Sequence, residues 1–321
     1  MSRGEGRRAS AWPVRLAACA TILLGGVGIA SAQEIEPNEY VPAPDGTNVS
    51  LSYFVFQHFG TFKTTSGTTV PDSSVNLYLG IERLAFFRYL FGHPAGFLVI
   101  QGFGGVSDAK LGGEPINTTN GATNTVLSAF FWPYANFEQK QYLVVTGFLQ
   151  PPDGSYNKNS VINTATLYQL RGQYNWTGDI QIGWDQGIGD HFSYDAGFDA
   201  RFFGNTTGPV SPGSNIPISV TTHHNPDFRV QVFANWAWSR ALMTAIGHQG
   251  FFAGDDWFNN PNPIIGGHVN VGKSYLQQLR GVAALFLSPR FQALLEVNGM
   301  VARTGGYKET IGTTLRFAYI F

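Results

Sequence analysis

From Thr310 to Phe321 the chain alternates without interruption: Ile311, Thr313, Leu315, Phe317, Tyr319 and Phe321 share one parity, and Gly312, Thr314, Arg316, Ala318 and Ile320 the other. A period of two predicts a β-strand whose two faces meet different surroundings. One of those faces is apolar and aromatic up to the last residue. It needs a greasy partner, either a packed protein interior or hydrocarbon, and that choice decides what the whole chain can be. A strand of this kind ending in Phe resembles the terminal strand by which bacterial outer-membrane barrels are recognised by the barrel-assembly machinery.

The same alternation recurs along the chain. It predicts about twelve strands, near 49–57, 74–87, 95–105, 125–135, 140–150, 168–187, 191–204, 226–238, 241–253, 274–287, 290–303 and 309–321. Each is near the roughly 9–11 residues that cross a bilayer when tilted. The clearest stretch runs from Tyr168 to Phe203. Tyr168, Leu170, Tyr174, Trp176, Ile180, Ile182 and Trp184 oppose Gln169, Arg171, Gln173, Asp179, Gln181 and Asp185. After Gly189-Asp190, Phe192, Tyr194, Phe198 and Phe202 oppose Ser193, Asp195, Asp199 and Arg201. Phe228, Val230, Val232 and Trp236 against Arg229, Gln231 and Asn235 repeat the arrangement.

Alternation by itself fits a secreted β-sandwich or a lipocalin-like barrel equally well, because a water-soluble antiparallel sheet also has one apolar face. Three further observations favour lipid. Arg3, Arg7, Arg8 and Arg15 precede an apolar run from Leu16 to Ile29, followed by Ala30-Ser31-Ala32, which reads as an export signal cleaved after Ala32. Charged residues make up only 13% of the chain, about half the globular norm, as expected when an outward face must be apolar. Aromatics such as Trp236 and Trp238 gather at strand ends, where an interfacial girdle would lie.

No segment after residue 32 reaches the roughly 20-residue apolar run of a membrane helix. A membrane protein without such helices has to be a closed barrel, since an open strand edge leaves backbone groups unsatisfied in hydrocarbon. The expected architecture is therefore an all-β transmembrane antiparallel barrel over residues 33–321, behind a signal peptide at 1–32, in the bacterial outer membrane. Gly189-Asp190, Ser239-Arg240 and Ser288-Pro289 read as tight turns, while 58–73, 106–124, 205–225 and 254–273 read as long connections. Short periplasmic turns alternating with long outer loops suit such a barrel.

Composition excludes several chemistries. Cys19, the single cysteine, falls inside the leader, and most of the apolar run follows it where a lipoprotein cysteine would come after the run. No disulfide, cysteine metal site or thiol nucleophile is then expected in residues 33–321. The leader holds four Arg and one Glu, so 16 basic and 20 acidic residues remain, a balance unsuited to nucleic acid. His248 with Asp255 and Asp256, and the neighbours His223 and His224, are the candidates for hydrolytic or metal chemistry, and none has a recognisable Ser partner. His223-His224 reads as a solvated loop. Gly102-Phe103-Gly104-Gly105 precedes no helix pattern, so it is not a phosphate cradle. Neither an enzyme nor a cofactor is expected.

Two segments resemble the MetA-pathway phenol-degradation family of outer-membrane proteins: Glu36-Pro37-Asn38-Glu39-Tyr40-Val41-Pro42-Ala43-Pro44-Asp45-Gly46-Thr47-Asn48, and Gly147-Phe148-Leu149-Gln150-Pro151-Pro152-Asp153-Gly154-Ser155-Tyr156. Asn163-Thr164-Ala165-Thr166 departs from the family's usual glycine-containing motif. The resemblance implies an outer-membrane channel, porin-like in its transport and associated with catabolism of aromatic compounds. It carries no functional residues over.

If lipid meets the greasy parity, the other parity faces a lumen. Arg171, Asp179, Asp185, Asp195, Asp199, Arg201, Arg229, Arg280, Glu296 and Arg316 are then the pore-lining candidates. Twelve strands fall between a barrel filled by its own side chains and one with an aqueous channel. The charges can ring a selective pore or plug it as ion pairs. The expected function is passive passage of small solutes, aromatic or hydrophobic ones among them; the alternative is a non-transporting structural or adhesive barrel acting through its long loops.

Overall fold

The computed structural model describes residues 34–116, 120–155, 175–210, 218–260, 267–270 and 272–321. The expected leader and Arg171 fall outside them. Twelve long strands form the body: β1 (Asn48–Lys63), β2 (Ser74–Leu90), β3 (His93–Leu111), β4 (Val126–Asn136), β5 (Gln141–Gln150), β6 (Thr177–Ile188), β7 (Phe192–Phe203), β8 (Asp227–Ala237), β9 (Leu242–Ala253), β10 (Ser274–Ser288), β11 (Phe291–Thr304) and β12 (Gly306–Ile320). Each pairs antiparallel with the next, and β12 returns to pair with β1 from Val49 opposite Ile320 to Lys63 opposite Gly306. The sheet closes on itself, so its backbone donors and acceptors find partners within the wall.

Burial settles which parity meets lipid. On β8, Phe228, Val230, Val232 and Trp236 are exposed, while Arg229, Gln231 and Asn235 are buried. Apolar side chains outside and charges inside are the reverse of a water-soluble protein, and they place this barrel in the outer membrane. Among the described residues no helix is long and apolar enough to cross a membrane.

The two barrel ends differ as the turn signals predict. Gly189-Asp190, Ser239-Arg240 and Ser288-Pro289 all lie at tight turns, joined by Phe91-Gly92 and residues 137–140. Phe91 and Gly92 take φ of 53° and 82°, the paired left-handed geometry of a two-residue type I′ hairpin.

The other end holds more structure than its composition suggests. β1 runs six residues past its expected end at 57, and β3 reaches Leu111. Phe59, Phe62, Val75, Leu77, Val106, Ala109, Ile116 and Tyr307 form a second buried cluster there, and burying it stabilises the extensions. The expected long connections 205–225 and 254–273 contribute Thr206–Val210, Ile218–His224, Asp256–Asn260 and Gly267–Asn270, which pair in that order as a separate four-stranded sheet.

Candidate functional site

The interior of the barrel has two unlike walls. β1 to β5 turn mainly apolar side chains inward, among them Tyr53, Val55, Leu79, Ile81, Leu98, Ile100, Trp132 and Val144. β6 to β12 turn mainly polar ones inward, among them Gln181, Asp185, Asp195, Asp199, Arg229, Gln231, Asn235, Arg280 and Glu296. Nine of the ten sequence candidates are buried on this inward face: Asp179, Asp185, Asp195, Asp199, Arg201, Arg229, Arg280, Glu296 and Arg316. The tenth, Arg171, lies outside the described residues.

Most of these charges meet across strands. Arg280 grips Glu296 with two parallel bonds, Nε to Oε1 at 2.9 Å and Nη2 to Oε2 at 2.8 Å. Arg229 Nε donates to both oxygens of Asp199, at 3.2 and 2.9 Å, and Arg201 Nε donates to Asp179 at 3.4 Å. Such charge-assisted bonds offset the cost of removing both ions from water. Asp185 and Asp195 have no cation between them. They stand directly opposite on β6 and β7, and Asp195 Oδ2 accepts from Asn235 Nδ2 at 2.6 Å.

The segment from Glu34 to Tyr40 runs through the space these walls enclose. Its greasy residues are Ile35 and Tyr40, both almost wholly buried and part of the main buried cluster, to which both walls contribute. Trp132 Nε1 donates to the Tyr40 carbonyl at 2.7 Å. Gly183 and Gly197 make room for the phenol: a Cβ would overlap the Tyr40 ring at the first and its hydroxyl at the second. Burial pushes that phenol well above its ordinary pKa, so it sits in the lumen neutral.

The acids of the same segment meet arginines on both walls. Glu39 pairs with Arg83 and Glu36 with Arg316. Glu34 lies 3.9 Å from Arg229 and 3.8 Å from Arg280, and accepts from Gln249 at 3.2 Å. Asn38, at φ 59°, is the hub between them. Its backbone N–H donates to Asp195 Oδ2 at 3.0 Å, and its side-chain oxygen accepts from Ser193 Oγ at 2.7 Å and Asn235 Nδ2 at 3.3 Å. Arg280 Nη1 donates to the Ile35 carbonyl at 3.0 Å. The segment is thus keyed to the lumen by shape, charge and backbone bonding together.

Sequence reasoning did not place Glu34, Glu36, Asn38, Glu39 and Tyr40 in the interior, nor Arg83 and Glu309 on its wall. Glu309 is fully buried and accepts from Gln57 at 2.8 Å and Gln278 at 3.1 Å. The available signal was a surplus of acids next to inward arginines, concentrated in Glu34, Glu36 and Glu39. The histidine candidates are separated. His223 and His224 belong to the strand Ile218–His224 and not to a loop; His224 Nδ1 bonds Asp256 Oδ1 at 2.9 Å, and His223 stacks on Trp257. His248 lies on β9 with the parity opposite to buried Gln249, facing outward. Among the described residues no group of three or more His, Cys, Asp or Glu could hold a metal ion.

No curated protein sequence matches the chain. Solved structures that share its fold include two outer-membrane channels. The COG4313 outer membrane channel from Pseudomonas putida F1 superposes with a TM-score of 0.76 at 19% identity, covering 90% of this chain and all of that one. A deltaS2 mutant of TodX, described as a monoaromatic hydrocarbon channel, gives 0.50 at 11% identity over 87% and 90%. Residues 59–317, most of the barrel, match one sequence family, and the chain belongs to it: the family described as "Putative MetA-pathway of phenol degradation".

Proposed function

We propose that this protein is an outer-membrane channel for passive passage of small solutes, aromatic and hydrophobic compounds in particular, with the Glu34–Tyr40 segment occupying the route. The two-sided lumen carries this reading. A greasy wall accepts a ring, and a wall of fixed charges and amides accepts a hydroxyl or carboxyl group on its edge. Tyr40 already spans the two walls, its ring seated over Gly183 of β6 while its carbonyl accepts from Trp132 of β4. The family's description by phenol degradation and the naming of TodX as a hydrocarbon channel support the solute class.

Asp179, Asp185, Asp195, Asp199, Arg201, Arg229, Arg280, Glu296 and Arg316 line the route in this proposal. Both signs are present, so strong anion or cation selectivity is not expected. Export with removal of residues 1–32, and recognition of β12 by the barrel-assembly machinery, complete the reading.

Purified protein in proteoliposomes tests it. Phenol should equilibrate faster than in protein-free liposomes while a sugar of similar size should not, and planar bilayers should show current in brief openings. No solute flux together with no current would leave a non-transporting barrel acting through its outer sheet.

A further inference from the structure

Along the outer face of β2 the side chains run Asn76, Tyr78, Gly80, Glu82, Leu84, Phe86, Arg88. Polar residues mark both ends of this row, and Glu82 stands six residues from each. On a strand tilted by about 40° that is roughly 15 Å either way, the middle of the lipid-facing band. Ser52 on β1 and Gln101 on β3 lie directly across from it. Phe54, Phe103 and Leu84, all exposed, fill the neighbouring outward rows.

A carboxyl group exposed to hydrocarbon is costly unless something meets it. Ser52 Oγ donates to Glu82 Oε2 at 2.9 Å, while the Gln101 amide donates to the Thr123 and Gly102 carbonyls. The other oxygen, Oε1, has no donor among the described residues.

A complementary group stands at the same level elsewhere on the wall. His248 on β9 lies between Val232 and Leu279, both exposed. Val232 is the centre of the outward row Phe228, Val230, Val232, Ala234, Trp236, so His248 also sits at mid-depth. Its ring makes no hydrogen bond among the described residues. Within the band, the described outward positions carry these two acidic or basic side chains.

We propose that Glu82 and His248 form a self-association contact, with Glu82 of one copy docked against His248 of a second copy alongside it in the membrane. All copies insert in one direction, so two groups can meet between neighbours only if they share a depth, as these do. The pair exchanges an exposed carboxyl and a half-buried imidazole in lipid for one hydrogen bond between them. β2 and β9 lie seven strands apart one way around the wall and five the other. The contact is therefore heterologous, and each copy keeps a free Glu82 on one flank and a free His248 on the other, giving rows of barrels and not a two-fold dimer.

Cysteine pairs test this in intact outer membranes, on a Cys19→Ser background that removes the only native cysteine. Co-expressed Glu82→Cys and His248→Cys chains, treated with a membrane-permeant oxidant, should give a band of twice the monomer mass. Glu82→Cys co-expressed with Ile180→Cys, on another flank, should not. Glu82→Leu should fold with unchanged heat-modifiable mobility yet migrate as monomer on native gels where wild type shows ladders. Equal cross-linking in both pairings, or none, would overturn the proposal. A lipid amine or a different protein at Glu82 would likewise leave the first pairing without its double-mass band.

Discussion

Tyr40 and Gly183 approach so closely that the glycine has no room to be anything else: a Cβ on β6 would overlap the phenol ring. Gly197, next door on β7, meets the hydroxyl of the same residue. Two cross-strand glycines thus form a seat for one side chain of the segment that fills the lumen. Gly183→Val should unseat it, because overpacking of this kind costs about 1–3 kcal/mol, a roughly 5- to 150-fold shift toward the displaced state. The wall itself keeps its ladder. Single-channel recording should show longer openings than wild type with unaltered heat-modifiable mobility; identical open times would mean that Tyr40 does not obstruct the passage.

Arg280 holds Glu296 with two bonds and also faces Glu34 from the segment. Removing one partner leaves an uncompensated buried ion, at a cost of about 3–5 kcal/mol. Arg280→Met should therefore unfold at markedly lower urea than wild type. Arg280→Met combined with Glu296→Gln should recover much of the loss, since the orphaned wall charge is gone. A double variant as unstable as the single one would show that the pair contributes through packing against Phe233, over whose ring the Arg280 guanidinium sits at 4.8 Å.

The barrel was legible because its strands obey one local rule. Wherever a strand is straight and has lipid on one side and polar groups on the other, parity alone gives its existence and its faces, as in β6 to β12. β1 to β5 were harder to orient: Leu79, Ile81, Leu98 and Ile100 point inward while Tyr78, Leu84 and Phe97 point outward, so both faces are greasy and alternation carries no sign. The far end of β1 escaped for a different reason. Register shifts at His58/Phe59 and Phe59/Thr61 break the period just where the strand continues. The lumen's polar wall was readable residue by residue, but its occupant was not. Glu34 to Tyr40 has no repeating pattern, and its place is fixed by partners as distant in sequence as Asp195, Gln231 and Arg316.

Asn38 ties the segment to β7 and β8 through Asp195, Ser193 and Asn235. Asn38→Ala removes the side-chain oxygen and also places a residue without a local hydrogen-bonding group at φ 59°. The Ser193 hydroxyl loses its acceptor, at about 1–3 kcal/mol for a group left unsatisfied, while Asn235 Nδ2 keeps Ser193 and Asp195. Asn38→Gly keeps the backbone conformation easy and loses only the amide. Both should lengthen channel openings, Ala more than Gly, and limited proteolysis should cut the segment faster in both. Equal protection in all three proteins would place the anchoring elsewhere, in the Glu36–Arg316 and Glu39–Arg83 pairs.

Val232 and Gln231 are adjacent on β8 and should respond oppositely to charge. Val232 is exposed at mid-band, so Val232→Arg sets a guanidinium against acyl chains, a cost of about 2–4 kcal/mol at the bilayer midplane. Gln231 is buried inside, its carbonyl oxygen accepting from the Ile35 N–H at 3.3 Å and from Arg280 at 3.2 Å. Gln231→Glu keeps that acceptor and adds a negative charge beside Arg280, where opposite charge is tolerated. Folding into detergent micelles or bilayers should therefore fail or weaken for Val232→Arg while proceeding for Gln231→Glu, which should instead alter the duration of channel openings. The reverse outcome, with Val232→Arg tolerated and Gln231→Glu disruptive, would mean that the greasy parity packs against protein and the charged parity against solvent, and no lumen would exist for solutes to cross.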